Sequence, residues 1–196
     1  AETTGIFKEP VDGPAQIGSL GVAGDVVVNK KHHGGPDQAV YIYGQVDSDW
    51  WSRELGRELP PGTFGENLTI AGLESAACSI GDRLQIGAVL LEVTAPRIPC
   101  STLAARMGDP NFIKRYRLAE RPGLYCRVLR EGALQAGDPV VYQPFPGEAV
   151  TILEVFRDYY QPDRSEADIR RFLAAPLAIR VRKVKEEQLR AKLEEK

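Results

Sequence analysis

The three Gly-Asp pairs that lead into apolar runs constrain this chain most: Gly24-Asp25, Gly81-Asp82 and Gly137-Asp138. Each stands just ahead of a short, mostly apolar run: Val26-Val27-Val28, Arg83-Leu84-Gln85-Ile86 and Pro139-Val140-Val141-Tyr142. Glycine supplies the unusual φ of a tight turn, and aspartate bonds the nearby backbone. The pairs are unevenly spaced, so they mark turns and not an internal repeat. Gly123-Leu124-Tyr125-Cys126-Arg127-Val128-Leu129-Arg130 alternates and reads as another strand. Many short strands joined by short turns predict a small β-barrel. Helical segments do not alternate regularly with strands, which argues against a parallel α/β sheet.

Two helical insertions interrupt the β pattern. Asp47-Ser48-Asp49 offers N-caps for Trp50 to Leu55, stopped by Gly56. A second helix runs from Asn111 to Glu120, with Pro110 at its start and Pro122-Gly123 as its stop. After Pro144-Phe145-Pro146-Gly147 the pattern becomes helical throughout. Ile152, Val155, Phe156 and Tyr159 fall on one face. Ser165 caps a second tail helix in which Ile169, Phe172 and Leu173 share a face. Leu177 to Lys192 forms a third, with Leu177, Val181 and Val184 on one side. The expected architecture is mainly β, a barrel with helical insertions over residues 1–146, followed by a small all-α three-helix module over 147–196.

Composition narrows the function classes. Hydrophobic residues make up 43% of the 196, enough for a core, and the net charge is −2. That charge suggests no general attraction to nucleic acid or to an anionic membrane. The tail carries Arg180, Arg182, Lys183 and Lys185, but Glu186, Glu187, Glu194 and Glu195 follow, so this is a solvated face. No apolar run approaches the ~18 residues of a membrane span. The first residues lack the basic and apolar regions of a signal peptide. Cys78, Cys100 and Cys126 are odd in number and widely spaced, which is neither a disulfide framework nor a C-x-x-C site. A reducing cytoplasm is the expected setting. The apolar faces of the tail helices offer a surface by which subunits could pair in a homo-oligomer.

Three stretches combine Gly or Pro with polar anchors. Lys30-Lys31-His32-His33-Gly34-Gly35-Pro36-Asp37 places lysines and histidines before a double glycine, which lets backbone approach an anion. Gly62-Thr63-Phe64-Gly65-Glu66-Asn67-Leu68-Thr69 sets Glu66 and Asn67 inside a strand-like run; Asn can both donate and accept. Ala95-Pro96-Arg97-Ile98-Pro99-Cys100 puts a thiol where a strand hands over to a helix, on a loop stiffened by two prolines and beside a cation. Taken singly, each also reads as ordinary structure: a surface turn, a β-bulge, a buried cysteine.

In this order, H-G-G-P-D-x-A-V, G-x-F-G-E-N-L-T and P-R-x-P-C resemble the MOSC domain, a family of molybdenum-cofactor-binding domains. The opening Thr4-Gly5-Ile6-Phe7-Lys8, the Gly24-Asp25 pair and the three-helix tail resemble its YiiM-like branch. The resemblance implies a MOSC-type β-barrel and a molybdopterin-type molybdenum cofactor. That cofactor brings two dithiolene sulfurs, so the protein need add only one soft thiolate ligand. Cys100 matches the family's metal-ligand position. His33, Asn67 and Arg97 would line the pocket with Cys100 as the catalytic set, and Arg97 would favour the thiolate. Lys31, His33, Gly34, Gly35, Glu66, Asn67 and Arg97 would hold the cofactor. His32 has no role in the pattern, and Cys78 and Cys126 are core residues. The implied activity is reduction of small N-hydroxylated compounds, such as hydroxylaminopurine-type bases, to amines. A carrier that delivers the cofactor or its sulfur is the alternative. The chain has no iron–sulfur cysteine cluster and no G-x-G-x-x-G fingerprint, so a separate electron-donor reductase is implied.

Overall fold

The computed structural model describes residues 4–26, 34–162 and 164–194. Its strands are β1 (Ala15–Gly18), β2 (Gly21–Val22), β3 (Val40–Gly44), β4 (Leu68–Ile70), β5 (Arg83–Ile86), β6 (Val89–Pro96), β7 (Leu124–Arg130), β8 (Gly132–Leu134) and β9 (Val140–Gln143). The helices are α1 (Gln45–Leu55), α2 (Ser101–Met107), α3 (Phe112–Ala119), α4 (Ile152–Tyr160), α5 (Glu166–Ala174) and α6 (Ile179–Glu194). A six-stranded sheet runs β4-β3-β7-β6-β5-β9, and a smaller one runs β2-β1-β8. All pairings are antiparallel except β3 with β4. The expected barrel is thus a curled, mixed half-barrel. The turn aspartates bond nearby backbone as their residue type predicts: Asp82 accepts from Ser79 N at 2.6 Å and Asp138 from Gln135 N at 2.9 Å. None of the described helices is long and apolar enough to cross a membrane.

Strand β3 is buried along its whole length, and its two faces serve two cores. Val40 and Ile42 join Leu84, Leu91, Val93 and Cys126 in an aliphatic core. Tyr41 and Tyr43 point the other way, into an aromatic core with Trp51, Phe64, Phe112 and Tyr116. Side chains that alternate along a strand make this division unavoidable once both faces are covered. The tail closes the aliphatic side: Ile152, Val155, Phe172 and Leu177 belong to that same core. The tail helices therefore share the sheet's core and do not pack only on themselves.

Three details differ from the sequence reading. Helix α1 starts at Gln45, not after Asp49; Asp47 is buried inside its first turn and accepts from Ser75 N at 2.9 Å, while Arg121 Nη1 lies 2.7 Å from its other oxygen. A tertiary partner has taken over what looked like a capping residue. On α4, Tyr159 is 61% exposed, although Ile152, Val155 and Phe156 are buried. On α6, Val184 is half exposed and the next residue, Lys185, is buried instead. A buried aspartate explains that inversion: Lys185 pairs with Asp158 on α4, which also lies 3.0 Å from Arg164 Nε. The Ser165 cap is as expected: its hydroxyl accepts from Asp168 N at 3.1 Å. The structure adds a capping box of Thr151 and Glu154 on α4.

Candidate functional site

The site is built around the exit of β6. Its ladder with β7 pairs Val93 with Cys126 and then Ala95 with Tyr125, so Thr94 is the extra residue of a bulge. A bulge bends its strand and re-aims the residues beyond it. The Thr94 hydroxyl lies 2.6 Å from Asp37 O and 3.0 Å from Tyr125 O, tying the bulge to the segment after Gly34-Gly35. Beyond Pro96 the chain runs irregularly through Arg97, Ile98 and Pro99. Cys100 is then the N-cap of α2, with extended backbone. Its carbonyl accepts from Leu103 N at 3.1 Å and Ala104 N at 3.2 Å, so its backbone is held while its side chain stays half-buried.

The three thiols sit in different environments. Burial, reinforced by Asp82, pushes the Cys78 thiol up to about 12. Burial raises Cys126 further still. Both are protonated at neutral pH and sealed in the core, as expected from the sequence. A thiol-disulfide reagent at neutral pH should therefore modify one thiol per native chain rapidly, and three in denaturant. Peptide mass mapping should place the fast label on Cys100; labelling of Cys78 or Cys126 at a similar rate would contradict this burial.

Arg97 is buried. Its Nη1 donates to the Phe64 carbonyl, and its guanidinium carbon lies 4.9 Å from the Tyr41 ring centroid. Its Nε is buried and finds no hydrogen-bond partner among the described residues. Burial works against the Arg97 charge, but the surrounding Tyr125, Tyr41 and Tyr116 hydroxyls and the Cys100 thiol outweigh it, and the guanidinium pKa is raised. Arg97 is thus a fixed cation whose field reaches Cys100. It also holds the neighbouring loop.

That loop, residues 62–65, is bonded from both sides. Glu66 is buried; its Oε1 accepts from Gly62 N at 2.7 Å and its Oε2 from Phe64 N at 2.9 Å. Arg106 on α2 donates from Nε to Thr63 O at 2.6 Å and from Nη2 to Gly62 O at 2.9 Å. Gly65 has φ 74°, and a Cβ there would lie 2.8 Å from Ile6 Cγ1 and 3.5 Å from Arg97 Nη1. Only glycine fits that turn under Arg97.

Glu66 and Asn67 both have partners within the protein. Both oxygens of Glu66 accept from loop amides. Asn67 Oδ1 accepts from Tyr41 N at 2.9 Å, and Nδ2 donates to Asp25 Oδ2 at 2.7 Å. The two side chains fasten the Gly62–Gly65 loop and the Asp25 turn to β3. The physical reason is general: buried polar groups find partners, and backbone amides were nearest. Gly34 and Gly35 both have positive φ and lead into the short turn Pro36–Gln38, and a Cβ on Gly35 would meet nothing within 4 Å. Among the described residues nothing closes over that position, as an anion cradle requires. Lys31 and His33, the remaining expected cofactor contacts, lie outside the described residues, as does His32.

Two residues escaped the sequence reading. Tyr125 is buried beside Tyr41, ring centroids 5.1 Å apart. Burial raises its hydroxyl pKa, with Arg97 and Arg180 opposing and Cys100 reinforcing. Its adjacency to Cys126 in a strand that pairs with β6 was the available signal. Arg106 had none, because its loop partners are remote in sequence. A cleft of about 300 Å³ between α1 and α3, lined by residues that include Trp50, Glu54 and Arg115, contains none of the motif residues.

Residues 29–141, more than half of the chain, match the MOSC domain. The chain belongs to the MOSC domain family. It is a YiiM-like member: it is 32% identical over 139 residues to the protein YiiM of Escherichia coli, covering 69% of this chain and 62% of that protein. It is 35% identical over 134 residues to YflK of Bacillus subtilis, covering 68% of this chain and 61% of that protein. A protein of Gibberella moniliformis named "Reductase" is 35% identical over 150 residues, covering 74% of this chain but 27% of that protein. The chain thus matches less than two thirds of the length of these relatives. Among solved structures, YiiM of Geobacillus stearothermophilus superposes with a TM-score of 0.82 at 30% identity, over 95% of this chain and 90% of that one. MOSC domains are associated with the molybdenum cofactor, and the donor set here suits a group that carries most of its own ligands. Among the described residues no cluster of three His, Cys, Asp or Glu side chains could hold a metal. A half-buried thiol beside a fixed cation has the chemistry of the single soft ligand that such a cofactor leaves to its protein.

Proposed function

We propose that this MOSC protein is a molybdenum-cofactor-dependent reductase that converts small N-hydroxylated compounds, of the hydroxylaminopurine type, to amines. The observation that carries the reading is Cys100: of the three thiols it alone is not fully buried, and it stands at a strand exit under the field of a buried arginine. The bound cofactor would supply the two-electron chemistry at the N–O bond. Cys100 would hold the metal through its thiolate. Arg97 would stabilise that thiolate and, through Phe64 O, keep the adjacent loop in place. The Gly34-Gly35 backbone would face the cofactor's anionic part. Electrons would come from a separate reductase. The Gibberella relative's name supports a reductase, and the E. coli and Geobacillus YiiM matches support a MOSC-family function.

The test is molybdenum content, together with the fluorescence of an oxidised pterin released from protein made in a molybdenum-replete host, followed by dye-linked reduction of 6-hydroxylaminopurine. Stoichiometric metal and pterin with turnover are expected. Metal and pterin without turnover would favour a carrier, and absence of both would overturn the reading.

A further inference from the structure

Three segments that are remote in the chain close a ring of hydrogen bonds between the motif stretches. The Thr94 hydroxyl donates to Asp37 O at 2.6 Å. Ala178 N donates to Thr94 O at 3.0 Å. The next residue completes the ring, since Ile179 N donates to Asp37 Oδ2 at 2.7 Å. Each segment is thus bonded to both of the others. The first leaves the Gly34-Gly35 turn, in which Gln38 N donates to Gly35 O at 3.0 Å. The second is the bulge of β6, on the strand whose exit leads to Cys100. The third is the start of α6. Arg127 on β7 braces the ring. Its Nη2 lies 3.0 Å from Asp37 Oδ1 and donates to the carbonyls of Pro176 and Leu177, both at 3.1 Å.

Of the three bonds that close the ring, Thr94 to Asp37 is the one that joins the double-glycine segment directly to the Cys100 strand. Thr94 is fully buried. Valine has the same shape and suits a buried strand as well, so the hydroxyl is what distinguishes this residue. That hydroxyl has one hydrogen and two carbonyls within reach, Asp37 O and, at 3.0 Å, Tyr125 O. The extra residue of a bulge drops out of the ladder, which frees its side chain for such a bond.

We propose that Thr94 is a positioning residue of the candidate site: its hydroxyl sets the Gly34-Gly35 backbone against the strand exit that presents Cys100, so that a cofactor held by both is retained. The tail locks this arrangement from the far end of the chain, through Ala178 and Ile179. The inference rests on the two motif segments forming one cofactor site, and not on the reduction proposed above.

Two variants of the full-length chain test it. Thr94→Val removes the hydroxyl at nearly the same shape, whereas Thr94→Ser keeps the hydroxyl and loses a buried methyl group. Amide hydrogen exchange reads each segment by itself. In Thr94→Val the Gln38 amide should gain about tenfold more in exchange rate than the Val93 amide, whose bond to Asp82 O lies outside the ring. In Thr94→Ser the two gains should agree within about threefold, even if the lost methyl lowers Tm. Equal gains at Gln38 and Val93 in Thr94→Val would show that the hydroxyl supports the fold as a whole, and would overturn the proposal. So would a serine variant that behaves like the valine one. Pterin content of protein from a molybdenum-replete host is the second readout. Thr94→Val should retain about tenfold less than wild type, and Thr94→Ser should stay close to it. Undiminished pterin in Thr94→Val overturns the proposal. If wild type itself carries no pterin, the reductase reading falls, and the exchange comparison alone decides the role of Thr94.

Discussion

Cys100→Ser is expected to lose molybdenum and reductase turnover, by roughly 10² or more, while the protein stays folded. A serine hydroxyl is a harder donor than a thiolate and remains protonated at neutral pH, so it is a poor ligand for a metal already held by sulfur. The fold should tolerate the change because of where the residue stands. Cys100 is the N-cap of α2 with extended backbone and has no side-chain capping bond to lose. Serine is a preferred N-cap residue, so the helix start is kept or improved. Metal content, dye-linked turnover and thermal unfolding of the same preparation check all three parts. Wild-type-like turnover in the variant would remove Cys100 from the metal and leave the motif without its proposed chemistry. Loss of fold along with activity would instead show that the thiol is a packing residue.

The second large effect is expected far from the thiol. Lys185 is 1% exposed, and its ammonium meets Asp158, Gln188 Oε1 at 2.7 Å and the face of Phe172 at 5.3 Å. Asp158→Ala would leave that ammonium buried without its carboxylate. Breaking a buried pair in this way costs about 3–5 kcal/mol, or roughly 10 °C in Tm for a chain of this size. Replacing both partners, Asp158→Leu with Lys185→Met, should recover most of the loss, because two apolar groups need no solvation. Urea unfolding of the single and double variants measures the difference. A single variant within about 0.5 kcal/mol of wild type would mean that water reaches the pair. The effect should carry over to the site, since α6 also supplies Ile179 to Asp37 and the Ala178–Thr94 bond joins its start to the β6 bulge.

Much of the fold was legible in the residues because its signals are local. Gly81-Asp82 and Gly137-Asp138 turn the chain where their chemistry says they should, and β7 runs along the alternation of Leu124 to Arg130. Helix α3 ends at the Pro122-Gly123 stop, one residue inside the expected boundary, with Glu120 taking a positive φ at its C-cap. Where local signals competed with distant partners, they lost. Asp47 reads as an N-cap and instead satisfies Ser75 and Arg121 in the interior. Val184 falls on the apolar face, yet Lys185 is buried because Asp158 waits on another helix.

The same division runs through the candidate site. That Cys100 stands apart from the two buried thiols could be read from the residues alone, because prolines, an arginine and a strand-to-helix handover surround it within six residues. So could the glycines, whose conformations are properties of the residue type. The work of the polar anchors could not be read that way. Glu66 and Asn67 look alike as pocket residues in the linear chain. Folding turns Glu66 to loop amides and Asn67 to the Tyr41 amide of β3 and the Asp25 carboxylate, because an unbonded amide buried there would cost more than the side chains gain in solvent. Folding likewise makes Arg97 fasten the Phe64 loop, brings Arg106 to help it, and joins Ile179 N, from the far end of the chain, to Asp37. Hydrogen bonds between segments more than a hundred residues apart leave no periodicity to read, and they exist only once both cores have closed around β3.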